Sequence, residues 1–229
     1  APEASADIYY WVVCADSIPK AHTLDELVID ETPERLIVST DAYWKAWLAK
    51  DNRDMSALPA ELTKLYRQSL ATIRVHTDNR GGIIASSDTD MLHHGRDTYS
   101  YVWPRDGAMI ARVLDKVGYQ DVAERFFEFA SRCQEPGGYL MHKYLTDGSL
   151  GSSWHPWLQH GKPYLPIQED ETASILFALW EHYEISRDLE FVETHYNSFI
   201  EPAAKFISEY IEATTGLPQA SFDLWEEKY

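Results

Sequence analysis

Apolar side chains recur at helical spacing five times between residues 58 and 210, separated by loops dense in aromatic and polar residues. Apolar positions at i, i+3, i+4 and i+7 turn one helix face toward a core, so the chain is predicted to be mainly α. Leu62, Leu65, Tyr66, Ser69, Leu70 and Ile73 form the first stripe. Met109, Ile110, Val113, Leu114 and Val117 form the second, closed by Gly118. Val122, Phe126, Phe129, Ala130 and Cys133 form the third, closed by Pro136-Gly137-Gly138. Thr172 to Ile185 is apolar nearly all round, which predicts a helix buried on most sides. Tyr196, Phe199, Ile200, Ala203, Phe206, Ile207 and Tyr210 form the fifth, ended by Thr215-Gly216. Pro202 within it predicts a kink or a split, because proline lacks an N–H and clashes with the preceding turn.

The N-terminal region has a different pattern. Ile8 to Ala15 (IYYWVVCA) is aromatic and β-branched, as in a buried strand. A single strand is no domain, so it is expected to end something that precedes it. His22 to Ile29 suits a short helix. Pro33 sits at a first helical position, followed by Tyr43, Trp44, Trp47 and Leu48 at helical spacing. Short strands are expected at Ile83 to Ser86 and, with a turn at Thr146-Asp147-Gly148, at Tyr139 to Leu145.

Charge narrows the partners. Asp and Glu number 37 against 20 Lys and Arg, a formal net charge of -17. Phosphate binding needs clustered cations, so neither nucleic acid nor an anionic membrane surface is an expected partner. No apolar run approaches the ~20 residues of a membrane span. Aromatic residues reach 13%, with 8 Trp and 14 Tyr; rings in loops suit a flat, hydroxyl-rich ligand. Cys14 and Cys133 both lie in apolar surroundings and are read as buried free thiols. With no signal segment before Ala1, they lean toward a reducing, cytoplasmic setting.

Three constellations carry chemistry. Tyr99-Ser-Tyr101-Val-Trp103-Pro104-Arg105-Asp106 ends a loop and opens the second helix. An Arg fork beside a carboxylate can hold vicinal hydroxyls, with Tyr and Trp stacking on a sugar face. An N-cap Asp with an ion-paired Arg explains the spacing as well. Gln168-Glu169-Asp170-Glu171 opens the fourth helix, where three acids suit the helix dipole and Gln168 can reach a ligand. Ser221-Phe222-Asp223-Leu224-Trp225-Glu226-Glu227 places two carboxylates beside Trp. Desolvation by a ring raises a carboxyl pKa and makes a general acid, although a solvated acidic loop fits the motif taken alone. His155 and His160, like His93-His94, lack metal-ligand spacing and are read as packing or hydrogen-bonding groups. No metal or cofactor is expected.

Together and in this order, YSYVWPRD (Tyr99–Asp106), DGSLGSSWHPW (Asp147–Trp157), PIQEDET (Pro166–Thr172) and SFDLWEE (Ser221–Glu227) resemble the glucoamylase-type glycoside hydrolase family, family 15. The likeness covers about Leu58 to the end. It implies part of an (α/α)6 barrel over residues 58–229, a linker helix over 31–57, and the end of an N-terminal β-sandwich over 1–30. Tyr99, Trp103, Arg105 and Asp106 would line the subsite for a non-reducing terminal glucose, with Gln168 alongside. Trp154 and Trp225 would be wall residues. Glu226 would be the general acid, and Glu227 would meet the sugar on the leaving-group side. The family implies hydrolysis with inversion, releasing one glucose at a time from an oligo- or polysaccharide. An inverting enzyme needs a base roughly 6.5–9.5 Å from the acid. The family's base lies late in the barrel, so none is named in this chain. A partial barrel is expected to self-associate or to pair with its missing half.

Overall fold

The structure is a computed structural model that describes residues 5–87 and 97–222. It divides into two compact units, Ala1–Asn52 and Arg53–Tyr229. The division falls inside the segment expected to be a linker.

The first unit holds two helices, α1 (Ile18–Glu31) and α2 (Pro33–Leu48). A proline in the first turn of each fits the fixed φ of a helix start. Thr32, at φ 63, breaks the chain between them. Neither helix buries a residue. Ile8 to Ala15, predicted as a buried strand, has no ladder partner among the described residues, and Ile8, Tyr10 and Cys14 are exposed. The burial expected of Cys14 is therefore corrected; both thiols are free. A β-branched run becomes a strand only when a neighbour takes its backbone N–H and C=O groups.

The second unit carries α3 (Ala60–Val75), α4 (Pro104–Lys116), α5 (Gln120–Cys133), α6 (Glu169–Ser186), α7 (Leu189–His195) and α8 (Glu201–Glu209). Each predicted stripe lies on a helix, but on α3, α4 and α6 the buried face differs from the stripe. On α3 only Leu70 is buried, while Leu62 and Leu65 are exposed. On α4 the predicted Met109 and Val113 are exposed; the buried face is Gly107, Ala108, Ala111, Leu114 and Asp115. Small residues let α4 lie close to its neighbours: a Cβ on Gly107 would sit 2.1 Å from Cε2 of Phe126. The α5 stripe holds throughout, with Phe126, Phe127 and Phe129 at the centre of the core. α6 is buried on one face only, leaving Phe177 and Trp180 exposed. Next to that open face an apolar groove of about 300 Å³ runs between Leu176, Leu179 and Trp180 of α6 and Leu189 and Val192 of α7.

Pro202 does interrupt its helix. α7 passes through a π-helical turn, Tyr196–Ile200, before α8 begins with Pro202 in its first turn. Asp188 caps α7, its Oδ1 accepting from the N–H of Phe191 at 3.0 Å. The expected strands shrink to single bridges, Thr77 with Ile83 and Tyr144 with both Val102 and Leu150. The loop before α6 contains a small hairpin, β1 (Leu158–Gln159) and β2 (Lys162–Pro163), turned by His160 at φ 51 and Gly161 at φ 74. No helix among the described residues is long and apolar enough to cross a membrane.

Candidate functional site

α4 and α6 pack against each other, and their N-terminal ends are cross-linked by charge. Pro104 has no N–H, so the first donor α4 must satisfy is that of Arg105. It donates to Oε2 of Glu171 at 2.5 Å. A carboxylate of α6 thus caps α4, whose own N-cap residue, Trp103, supplies no side-chain bond. Asp106 is not the N-cap; it lies within the first turn.

Arg105 is 7% exposed, and its partners fix the guanidinium. Nη1 donates to Oε1 of Gln168 at 2.7 Å and to Oδ2 of Asp170 at 2.9 Å. Oε1 of Glu171 lies 3.4 Å away. Nε has no hydrogen-bond partner among the described residues. Of the three acids opening α6, two therefore serve Arg105 as well as their own helix dipole. Glu171 is wholly buried, and that burial raises its carboxyl well above the usual range against the pull of Arg105. Burial also raises the half-buried Asp106 carboxyl, with Arg105 opposing and Asp170 reinforcing.

An aromatic wall stands beside this corner. Tyr99, 43% exposed, sits 5.9 Å from Trp103 and 5.9 Å from Trp154, centroid to centroid. Trp103 is 5.7 Å from Trp154 and buried. Tyr99 and Trp154 therefore reach solvent, with Trp103 behind them.

Two residues outside the sequence motifs hold this wall. Asp97 accepts from Nε1 of Trp154 at 2.7 Å, from the Tyr101 hydroxyl at 3.0 Å, from the N–H of Thr98 at 2.9 Å and from the Ser152 hydroxyl. Burial alone would raise its carboxyl, yet these donors hold it well below the usual carboxylate range. Lys143, 1% exposed, lies 3.3 Å from Asp97 and 3.3 Å from the centroid of Trp154. Its ammonium is stabilised by an ion pair and a cation–π contact together. The signal for Lys143 was a lone charge inside an apolar run, Tyr139-Leu-Met-His-Lys-Tyr-Leu145. Asp97 carries no comparable mark.

Beneath the wall, His142 and His155 meet at a centroid distance of 4.4 Å. Nε2 of His155 lies 3.1 Å from Nε2 of Gln168. His155 packs and hydrogen-bonds, as expected of it. Gln168, proposed to touch a ligand, is 1% exposed and spans from Arg105 to His155. It stands behind Arg105. Trp225, Glu226 and Glu227 lie outside the described residues. Among the described residues no three His, Cys, Asp or Glu side chains form a group suited to a metal ion.

Residues 60–229 match the sequence profile of the glycosyl hydrolases family 15. The chain belongs to that family. It is similar to an uncharacterized glycosyl hydrolase of Methanocaldococcus jannaschii, 35% identical over 191 residues, covering 82% of this chain and 27% of the relative. It is also similar to trehalase 2 of Sulfolobus acidocaldarius, 28% identical over 166 residues, covering 65% of this chain and 28% of the relative. The chain thus spans less than a third of the length of either. Among solved structures it resembles a wild-type glycosidase (TM-score 0.54, 23% identity) and a glycosidase variant in complex with glucose (TM-score 0.55, 22% identity). Each likeness covers 76% of this chain and 46% of the other, and bears on the fold. The chain is thus a mainly α member of family 15.

Proposed function

We propose that the protein carrying this chain is an inverting, exo-acting glycoside hydrolase that releases glucose from the non-reducing ends of α-glucans or α-glucosides. The observation that carries this reading is the Arg105 corner. A buried guanidinium is held by Gln168, Asp170 and Glu171 beside Asp106, next to solvent-facing Tyr99 and Trp154. Such a corner offers donors and acceptors to hydroxyls and rings to an apolar sugar face. Residues 1–30 would end an N-terminal β-sandwich, 31–57 would be a linker, and 58–229 would be the first part of an (α/α)6 barrel.

In this proposal Arg105 and Asp106 hold the terminal glucose. Tyr99, Trp103, Trp154 and Trp225 build the wall. Glu226 protonates the glycosidic oxygen, and Glu227 meets the sugar beyond the scissile bond. Gln168 acts through Arg105. The base that activates water lies in another part of the protein.

Glu226→Gln in the complete protein is the test. Turnover of maltose, isomaltose or trehalose should fall by about two to four orders of magnitude, the scale of general acid catalysis, while glucose binding survives. Near-normal turnover would sink the role of Glu226. A complete protein that binds these sugars and hydrolyses none would instead be a saccharide-binding or regulatory module of the same fold.

A further inference from the structure

We infer that His155 is a positioning residue: one imidazole sets the sugar-holding Arg105 in register with the segment that leads to Glu226. The inference rests on the proposed function for its kinetic consequence and on geometry for its existence.

The first contact is a hydrogen bond whose polarity is forced. Arginine can only donate, so the Gln168 atom 2.7 Å from Nη1 of Arg105 is the amide oxygen. The other end of that amide is then an NH₂ group, which also only donates. It lies 3.1 Å from Nε2 of His155. That ring nitrogen must accept, so His155 is neutral with its proton on Nδ1. The reverse tautomer would set two donors against each other, and turning the amide would set its NH₂ against the guanidinium.

The second contact fixes the ring. His155 lies flat on Phe222, with centroids 4.0 Å apart and planes 4° apart, and His142 packs its ring at a steep angle against it. Both His155 and Phe222 are buried. Phe222 is in turn tied to the strap that carries Gln168. Its N–H donates to the carbonyl of Ile167 at 3.2 Å, and the Ser221 hydroxyl accepts from the N–H of Glu169 at 3.4 Å. Glu226 follows Phe222 by four positions in the chain. The imidazole therefore touches, on its edge, the amide that holds Arg105 and, on its face, the ring at the start of the acid motif.

The two contacts predict separable effects. Arg105 holds the ground-state sugar, so its register is read in KM; the acid acts in the transition state, so its register is read in kcat. In the complete protein, His155→Leu removes both contacts and should raise KM and lower kcat, each about tenfold. His155→Gln offers an acceptor to Gln168 without the ring, and should recover KM while kcat stays low. Phe222→Leu keeps the imidazole and should lower kcat with KM near that of the wild type. The assay uses maltose, isomaltose and trehalose. Imidazole nitrogen shifts of the labelled wild-type protein at neutral pH should show Nδ1 protonated and Nε2 bare. A protonated Nε2, or three variants that move both constants alike or not at all, would overturn the inference. A wild type inactive on all three sugars would overturn the glycosidase reading, and the nitrogen shifts would then decide the role of His155 alone.

Discussion

Acidification should loosen the floor of the candidate site through two histidines. His142 and His155 are 2% and 3% exposed. Burial, then His155, Lys143 and Arg105, push the His142 imidazole down to about 3. Burial and Lys143 push His155 down to about 4. In the unfolded chain both titrate near 6.5. Between about pH 6.5 and about pH 4 the unfolded chain therefore takes up two protons that the folded chain refuses, and stability falls as pH falls. At 1.36 kcal/mol per pH unit, each histidine removes about 3 kcal/mol by about pH 4, and the pair about 6 kcal/mol. That is comparable with the whole stability of an ordinary domain, about 5–15 kcal/mol. Glu171, Asp106 and Asp115 oppose the trend, since burial raises their carboxyls and protonation relieves them. The difference between wild type and His142→Phe removes their share. Urea titrations from about pH 7 down to about pH 4 should show the variant losing about 3 kcal/mol less than the wild type. Parallel stability curves for the two proteins would refute the reasoning.

Gly107→Ala should destabilise the second unit by about 1–3 kcal/mol. The added methyl would meet Phe126 at 2.1 Å in a filled core, and thermal unfolding would read the loss. Arg105→Lys keeps the charge but loses the fork that meets Gln168 and Asp170 together. It should weaken glucose inhibition of the complete protein about tenfold or more, and an unchanged inhibition constant would remove Arg105 from sugar binding. The isolated chain should self-associate through the α6 face that exposes Phe177 and Trp180. Replacing both with Ser should shift sedimentation toward monomer, whereas a wild-type monomer that binds no hydrophobic dye would count against the idea.

Much of the helical architecture was legible because periodicity is a local property. Every predicted stripe beyond residue 58 falls on a helix, and Pro202 marks a real break. The stripes were weaker guides to burial. Val113 and Met109 satisfy the helical period as well as Ala108 and Ala111 do, but close packing against Phe126 admits only the small face. Ile8 to Ala15 has strand composition with no ladder partner among the described residues. The family motifs marked the corner at Tyr99–Asp106 and the strap at Pro166–Thr172. They did not mark Asp97 or Lys143, whose roles exist only where loops distant in the chain meet.

The amino-acid sequence alone determined the helices, the family and the residue types that gather at the candidate site. Tertiary structure decided what those residues do for one another. Arg105 finds Gln168 and Asp170 across 63 and 65 positions of chain. Lys143 finds Asp97 across 46. The reason is physical. Helical periodicity depends on bonds within a turn, whereas desolvation, ion pairing and the tautomer of a buried imidazole depend on which distant groups share one dry volume.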